Sequence, residues 1–109
     1  MRILADATRF TSPTDGATHW VEHLRTADLS VGTYCVAAGG ADDQTPHTED
    51  EIYVVTAGRA VLEAGGARAE VTAGSVIFVP AGEEHRFTRI TEDLALLVIF
   101  GPAEFTRTA

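Results

Sequence analysis

Gly74-Ser75-Val76-Ile77-Phe78-Val79-Pro80-Ala81-Gly82-Glu83-Glu84-His85 is the stretch on which the fold turns. Its β-branched and aromatic run stops at a proline, which cannot donate to a ladder, and a glycine two residues on supplies the positive φ of a tight turn. A histidine then opens the next strand, and His85, Phe87 and Arg89 share one face of an extended chain. Outward from this stretch, similar runs recur every eight to twelve residues with Gly, Pro or Asp between them, the spacing of an all-β sandwich or barrel. Strands are expected at about residues 19–25, 29–38, 51–56, 59–64, 67–71, 75–79, 85–90 and 94–100, with turns at Ala57-Gly58, Gly65-Gly66 and Ala73-Gly74. The last of these strands is apolar on both faces and needs cover on both. A second copy is the expected cover, giving a homodimer, and the chain's own N-terminal arm is the alternative.

The 109 residues are one domain's length. Residues 1–18 read as a polar arm with one edge strand, and residues 19–109 as a single barrel domain. An apolar fraction of 45% with 22% charged residues belongs to an ordinary globular domain rather than a disordered one. The net charge of −8 repels phosphate backbones and anionic bilayers, so neither nucleic acid nor membrane is expected as a partner. Every cation is arginine, and with lysine and asparagine both absent Gln44 is the only carboxamide. The single Cys35 cannot form an intrachain disulfide, and Asp6 stands where a secretory signal would run apolar, so the cytoplasm is the expected location. The longest apolar run, residues 94–100, falls far short of the roughly 20 residues a membrane-crossing helix needs.

A second stretch, Gln44-Thr45-Pro46-His47-Thr48-Glu49-Asp50-Glu51-Ile52-Tyr53-Val54-Val55-Thr56-Ala57-Gly58, places His47 and Glu51 four residues apart. Both then leave one face of an extended segment, and a same-face His and Glu can bind one metal ion. With these two stretches the chain resembles the cupins, small β-barrels of the double-stranded β-helix or jelly-roll type. Their second motif runs Gly, five residues, Pro, any, Gly, two residues, His, three residues, Asn. Gly74, Pro80, Gly82 and His85 match it at every spacing, and Arg89 replaces the Asn. Their first motif runs Gly, five residues, His, any, His, three or four residues, Glu, six residues, Gly. Gly39, His47, Glu51 and Gly58 fit it, and Thr45 stands where the first His would be. The resemblance spans about residues 29–100 and implies the all-β jelly-roll barrel.

Carried over residue by residue, the resemblance implies a divalent transition metal held inside the barrel by His47, Glu51 and His85. Two imidazoles and one carboxylate are the ligand type of the non-haem iron facial triad, which leaves positions open for substrate and dioxygen. The expected ion is therefore Fe2+, with Mn2+, Ni2+ or Zn2+ as alternatives, and the expected activity is a non-haem-iron-type oxygenase acting on a small organic molecule. Isomerase, cyclase or lyase chemistry on a carbonyl compound is one alternative. Non-catalytic binding of a small molecule, with metal affinity weakened at Thr45, is the other. Gln44 is a candidate fourth ligand, because Pro46 interrupts the ladder and a bulge there would turn Gln44 inward. Its alternatives are a hydrogen bond to ligated water or substrate, and a purely structural role.

Glu51 and Arg89 are the candidate catalytic residues. Even spacing from His85 puts Arg89 on the metal side, where its fork of donors suits a carboxylate or enolate oxygen and an anionic substrate. The alternative is pairing with Glu92 or Asp93 at the strand's end. His19 and His23 read as ordinary strand histidines; Glu49, Asp50, Glu83 and Glu84 as solvated turn charges. Trp20, Tyr34 and Tyr53 read as core or interface aromatics, and Cys35 as a small buried hydrophobe.

Overall fold

The computed structural model describes residues 1–42 and 44–107. Its regular structure is six strands: β1 (Thr18–Arg25), β2 (Ser30–Val36), β3 (Asp50–Ala64), β4 (Ala67–Thr72), β5 (Val76–Val79) and β6 (His85–Gly101). No helix is long and apolar enough to cross a membrane. All pairings are antiparallel, in the order β1-β2-β6-β3-β4 with β5 also on β3. The spine is the β3–β6 ribbon, whose register runs from Asp50 opposite Gly101 to Ala64 opposite His85. At the first end β2 and β5 flank the ribbon, and at the second end β4 does. The two halves close on an apolar interior that includes Tyr53, Val55, Leu62, Phe87, Leu96 and Phe100, and the fold is the expected all-β double-stranded β-helix.

Four of the expected strands merge into two. Residues 51–56 and 59–64 are one strand, β3, and residues 85–90 and 94–100 are one strand, β6. Ala57-Gly58 is therefore a bend inside a strand rather than a turn between strands. From Thr88 to Glu92 β6 advances four residues while β3 advances two, from Val61 to Arg59, and this mismatch bends the ribbon into its two halves. Gly58 makes the bend possible: its φ is +96°, and a Cβ there would lie 2.3 Å from the Asp93 carbonyl oxygen. Gly32 serves a different close approach, since a Cβ at that position would lie 2.2 Å from the Trp20 ring. Trp20 crosses β2 over this gap and meets Phe100 edge-on, with ring centroids 6.4 Å apart.

The N-terminal arm lies against the outer face of β2. The Ala7 carbonyl accepts from Thr33 Oγ1, and the Thr11 amide donates to Cys35 Sγ at 3.4 Å. Ala95, opposite Cys35 on β6, is fully buried as a result. The arm thus covers part of the doubly apolar strand, while Ile52, Val76 and Phe78 remain exposed on β3 and β5.

Candidate metal centre

The turn that precedes His85 is tied to the loop that carries His47. Gly82 N donates to the His47 carbonyl at 2.8 Å and Ala81 N to Asp50 Oδ1 at 2.9 Å. This stitching brings together His47, Glu51 and His85, one ligand atom of each lying within 4.8 Å of the others. Glu51 is on β3 and His85 opens β6, both buried, while His47 sits in the preceding loop and is partly buried.

Both histidines have their Nδ1 fixed by an acceptor. That of His85 lies 2.9 Å from the Glu83 carbonyl, and that of His47 lies 3.1 Å from Glu104 Oε2. A carbonyl or an ionised carboxylate can only accept, so each Nδ1 carries the proton and a neutral imidazole then presents a bare Nε2. Those Nε2 atoms face other acceptors: His85 Nε2 is 3.0 Å from Glu51 Oε1, and His47 Nε2 is 3.1 Å from Gln44 Oε1. The Gln44 orientation is dictated by Asp42, whose Oδ2 accepts from the Gln44 amide nitrogen at 2.8 Å and so aims the amide oxygen at the centre.

Among the described residues, the donor aimed into this group is the Tyr53 hydroxyl, 3.1 Å from Gln44 Oε1 and 2.9 Å from His85 Nε2. With a neutral His85 whose Nε2 is bare, neither buried oxygen of Glu51 receives a hydrogen bond. Acceptors outnumber protons at the centre, and a cation supplies what is missing: a soft-to-borderline divalent ion suits two imidazoles, a carboxylate and an amide oxygen. The residues present therefore fit a metal ion. Without an ion the proton takes its place. Burial pushes the His85 pKa down, but the Glu51 carboxylate, the Glu83 carbonyl and Asp42 outweigh it and raise it above the ordinary histidine value. Burial, with the charges of Glu51 and Asp42, also holds the Tyr53 phenol well above its ordinary value, so Tyr53 keeps its proton.

Two carboxylates outside the expected set, Glu104 and Glu49, support the site from outside. Glu104 holds His47 through Nδ1, which fixes both tautomer and ring orientation, as the carboxylate partner of a metal-ligating histidine would. Glu49, expected to be a solvated turn charge, is instead 1% exposed. Its two oxygens accept the backbone amides of Phe105 at 2.7 Å and Arg107 at 2.8 Å. Those bonds, together with Glu104 N on Ser30 Oγ and Arg25 on the Glu104 carbonyl, clip the C-terminal turn onto the metal loop. Asp42 is a third hub: besides Gln44 it accepts from Tyr34 Oη at 2.8 Å and from Phe87 N at 2.9 Å. The Glu49 and Glu104 contacts close over 50 residues of chain or more, and no local pattern could have disclosed them.

Arg89 is exposed and is not among the residues that line the cavity. Its φ of +48° falls where β6 takes on its extra residues, so the face-by-face alternation from His85 is broken and Ile90 turns inward instead. The side chains proposed to pair with it bond elsewhere: Glu92 with Arg59 at 3.4 Å, and Asp93 Oδ1 with the Ala38 amide at 2.9 Å. His19 and His23 lie on β1 away from the centre, His23 bonded to Thr33 at 2.6 Å.

Gln44, His47, Glu51 and Tyr53 line a cavity of about 230 Å³ together with Trp20, Tyr34, Val98, Phe100 and Phe105, while His85 lines the neighbouring groove.

Comparison with known proteins agrees with this picture. A family model described as a cupin domain matches residues 32–100. An uncharacterized protein of Streptomyces coelicolor is 47% identical over 90 residues, which cover 83% of this chain and 84% of that one. Among solved structures, a conserved Klebsiella pneumoniae protein with a double-stranded β-helix domain superposes with a TM-score of 0.78 at 18% identity, covering 94% of this chain and 90% of that one. The DMSP lyase DddQ of Ruegeria pomeroyi superposes with a TM-score of 0.76 at 19% identity, covering 99% of this chain and 57% of that one.

Proposed function

This chain belongs to the cupin domain family, and from that premise we propose that it is a metal-dependent enzyme acting on a small organic molecule. The observation that carries the reading is the surplus of buried acceptors, Glu51 above all, at the foot of a cavity large enough for a small compound. In this reading His47, Glu51 and His85 hold the ion and the Gln44 amide oxygen is a fourth donor. The bound ion supplies Lewis acidity toward a carbonyl or carboxylate oxygen.

The chain's own groups do the rest. Tyr53 holds a proton at Oη beside His85 Nε2 and offers it as a hydrogen bond to a substrate oxygen in the cavity. Asp42 keeps the Gln44 oxygen turned inward, Glu104 keeps His47 in the ligating tautomer, and the aromatic residues give the cavity an apolar surface beside the donors. Four convergent protein donors plus a resident phenol favour proton-transfer chemistry of the isomerase, cyclase or lyase kind. Lyase is also the activity carried in the name of the Ruegeria protein, whose likeness to this chain extends to the fold.

A second reading, the iron oxygenase, draws on a different feature: the two imidazoles and one carboxylate that make up the core of the set. Metal analysis of the purified protein, followed by oxygen uptake on the Fe2+-loaded form with carbonyl and enol compounds, separates the two. Turnover with Zn2+ or Mn2+ and no oxygen consumption is the expected result. Turnover that requires Fe2+ and dioxygen would replace it with the oxygenase, and failure to bind any divalent ion would remove both.

A further inference from the structure

Building on the metal-enzyme reading above, we propose that the substrate is a compound with a chelating oxygen head and an uncharged, ring-sized apolar body, selected by Trp20 and Phe105. The cavity has two kinds of lining. Gln44, His47, Glu51, Tyr53 and Glu104 make up the polar part; Trp20, Tyr34, Val98, Phe100 and Phe105 make up the rest, with the Phe100 ring packed 4.8 Å from the His47 ring. Among the described residues that line it none is arginine, and the chain has no lysine, so an anionic body would meet no counter-charge. The carboxylates present, Glu51 and Glu104, already face His85 and His47. The ion's charge is balanced by Glu51 and by the chelating oxygen head, so no unbalanced charge is left at the centre to pair with a charged body.

Size points the same way. An apolar cavity of roughly 150 Å³ accepts benzene, and the one here is about 230 Å³, room for a ring with one or two small substituents. The aromatic wall is built in rather than incidental. Gly32 lacks the side chain that would push the Trp20 indole off β2, and Trp20 stands edge-on to Phe100 at an interplanar angle of 74°. Phe105 is 62% exposed at the mouth and is kept there by the bond from its own amide to Glu49. The larger groove on the other side of Gln44 and His85 offers Arg68 and Arg86, but Glu63 and Glu84 offset them and no phenyl, phenol or indole lines it. An anionic substrate therefore has no better place there.

Trp20 is the only tryptophan, which makes its fluorescence a direct report on the cavity. Zinc-loaded protein is titrated with acetohydroxamate, benzohydroxamate and the monohydroxamate of succinic acid, which share a chelating head and differ in the body. Benzohydroxamate is expected to bind roughly ten- to a hundredfold more tightly than acetohydroxamate, the worth of burying one phenyl ring, and to change Trp20 emission. The succinic compound is expected to bind more weakly than benzohydroxamate. By calorimetry, Trp20→Leu and Phe105→Ala should bring the phenyl preference toward one and leave acetohydroxamate unchanged.

Equal affinity for the acetyl and phenyl compounds on protein that holds stoichiometric zinc, or tighter binding of the succinic compound, overturns the proposal. If the protein takes up no zinc, the metal reading has failed on its own, and the cavity is tested with benzyl alcohol on the metal-free protein. Saturable quenching of Trp20 that Phe105→Ala abolishes supports an apolar-body site, and its absence overturns it.

Discussion

At the Asp50–Gly101 end of the β3–β6 ribbon, Glu49, Glu51 and Glu104 are buried to 6% exposure or less. At the Ala64–His85 end, Glu63, Arg68, Glu84 and Arg86 are all exposed. Glutamates stand at both ends; what differs is the cover over them. At the first end β2 and β1 extend the sheet on one side, β5 extends it on the other, and the C-terminal turn folds over the opening. At the second end β4 flanks the ribbon and shows solvent all of its side chains except Val71. Charge marks function here only where burial deprives it of water and the surroundings do not supply enough protons.

The hardest way to break this contrast is to remove a ligand. His47→Ala or His85→Ala should bring metal uptake below detection by elemental analysis after dialysis, while His19→Ala, on β1, retains it. Next comes the bend that joins the two ends. Gly58→Ala forces a side chain into a left-handed conformation and against the Asp93 carbonyl, and should cost about 2–4 kcal/mol in denaturant unfolding. An unchanged unfolding midpoint would refute the account of the bend.

Smaller effects sharpen the contrast between buried and exposed carboxylates. Glu104→Ala should weaken metal binding roughly ten- to a hundredfold by calorimetry, since it frees the His47 ring, whereas Glu63→Ala should leave it unchanged. Glu49→Gln should cost about 1 kcal/mol at neutral pH. Burial raises the Glu49 pKa, but the hydrogen bonds from Thr48, Arg107 and Phe105 outweigh it and hold it below the ordinary 4.5. A depressed carboxylate stabilises the fold above its unfolded pKa and loses that contribution as pH falls through the folded one. The melting difference between wild type and Glu49→Gln should therefore be full at pH 7 and shrink on acidification below about 4.5. The smallest effect is at Cys35, where burial raises the thiol pKa and outweighs the Thr11 amide, so alkylation by iodoacetamide at pH 7.5 should be far slower than for a free thiol until the protein is unfolded.

The fold and the meeting of His47, Glu51 and His85 were legible in the sequence because both rest on local spacing. The Pro80-x-Gly82 turn before His85, and the same-face step from His47 to Glu51, are set by strand geometry within a dozen residues. Parity failed at Arg89 because β6 takes on extra residues just beyond Thr88, and nothing in the residues 88–92 announces a bulge. Gln44 was noticed as the lone carboxamide, but its direction depends on Asp42, which reads as an ordinary loop acid. Glu49 and Glu104 depend on the chain's end folding back over the metal loop, a contact between distant residues that hydrophobic patterning does not encode.

His47, Glu51 and His85, with the Gln44 oxygen, are proposed to hold one divalent ion. X-ray absorption at the zinc edge of protein loaded to one equivalent tests it most directly. The account predicts two imidazole nitrogens with the remaining donors oxygen, at about 2.0–2.2 Å, and loss of one imidazole shell in His85→Ala. An all-oxygen shell, a sulfur ligand, or a spectrum unchanged in that variant would contradict it.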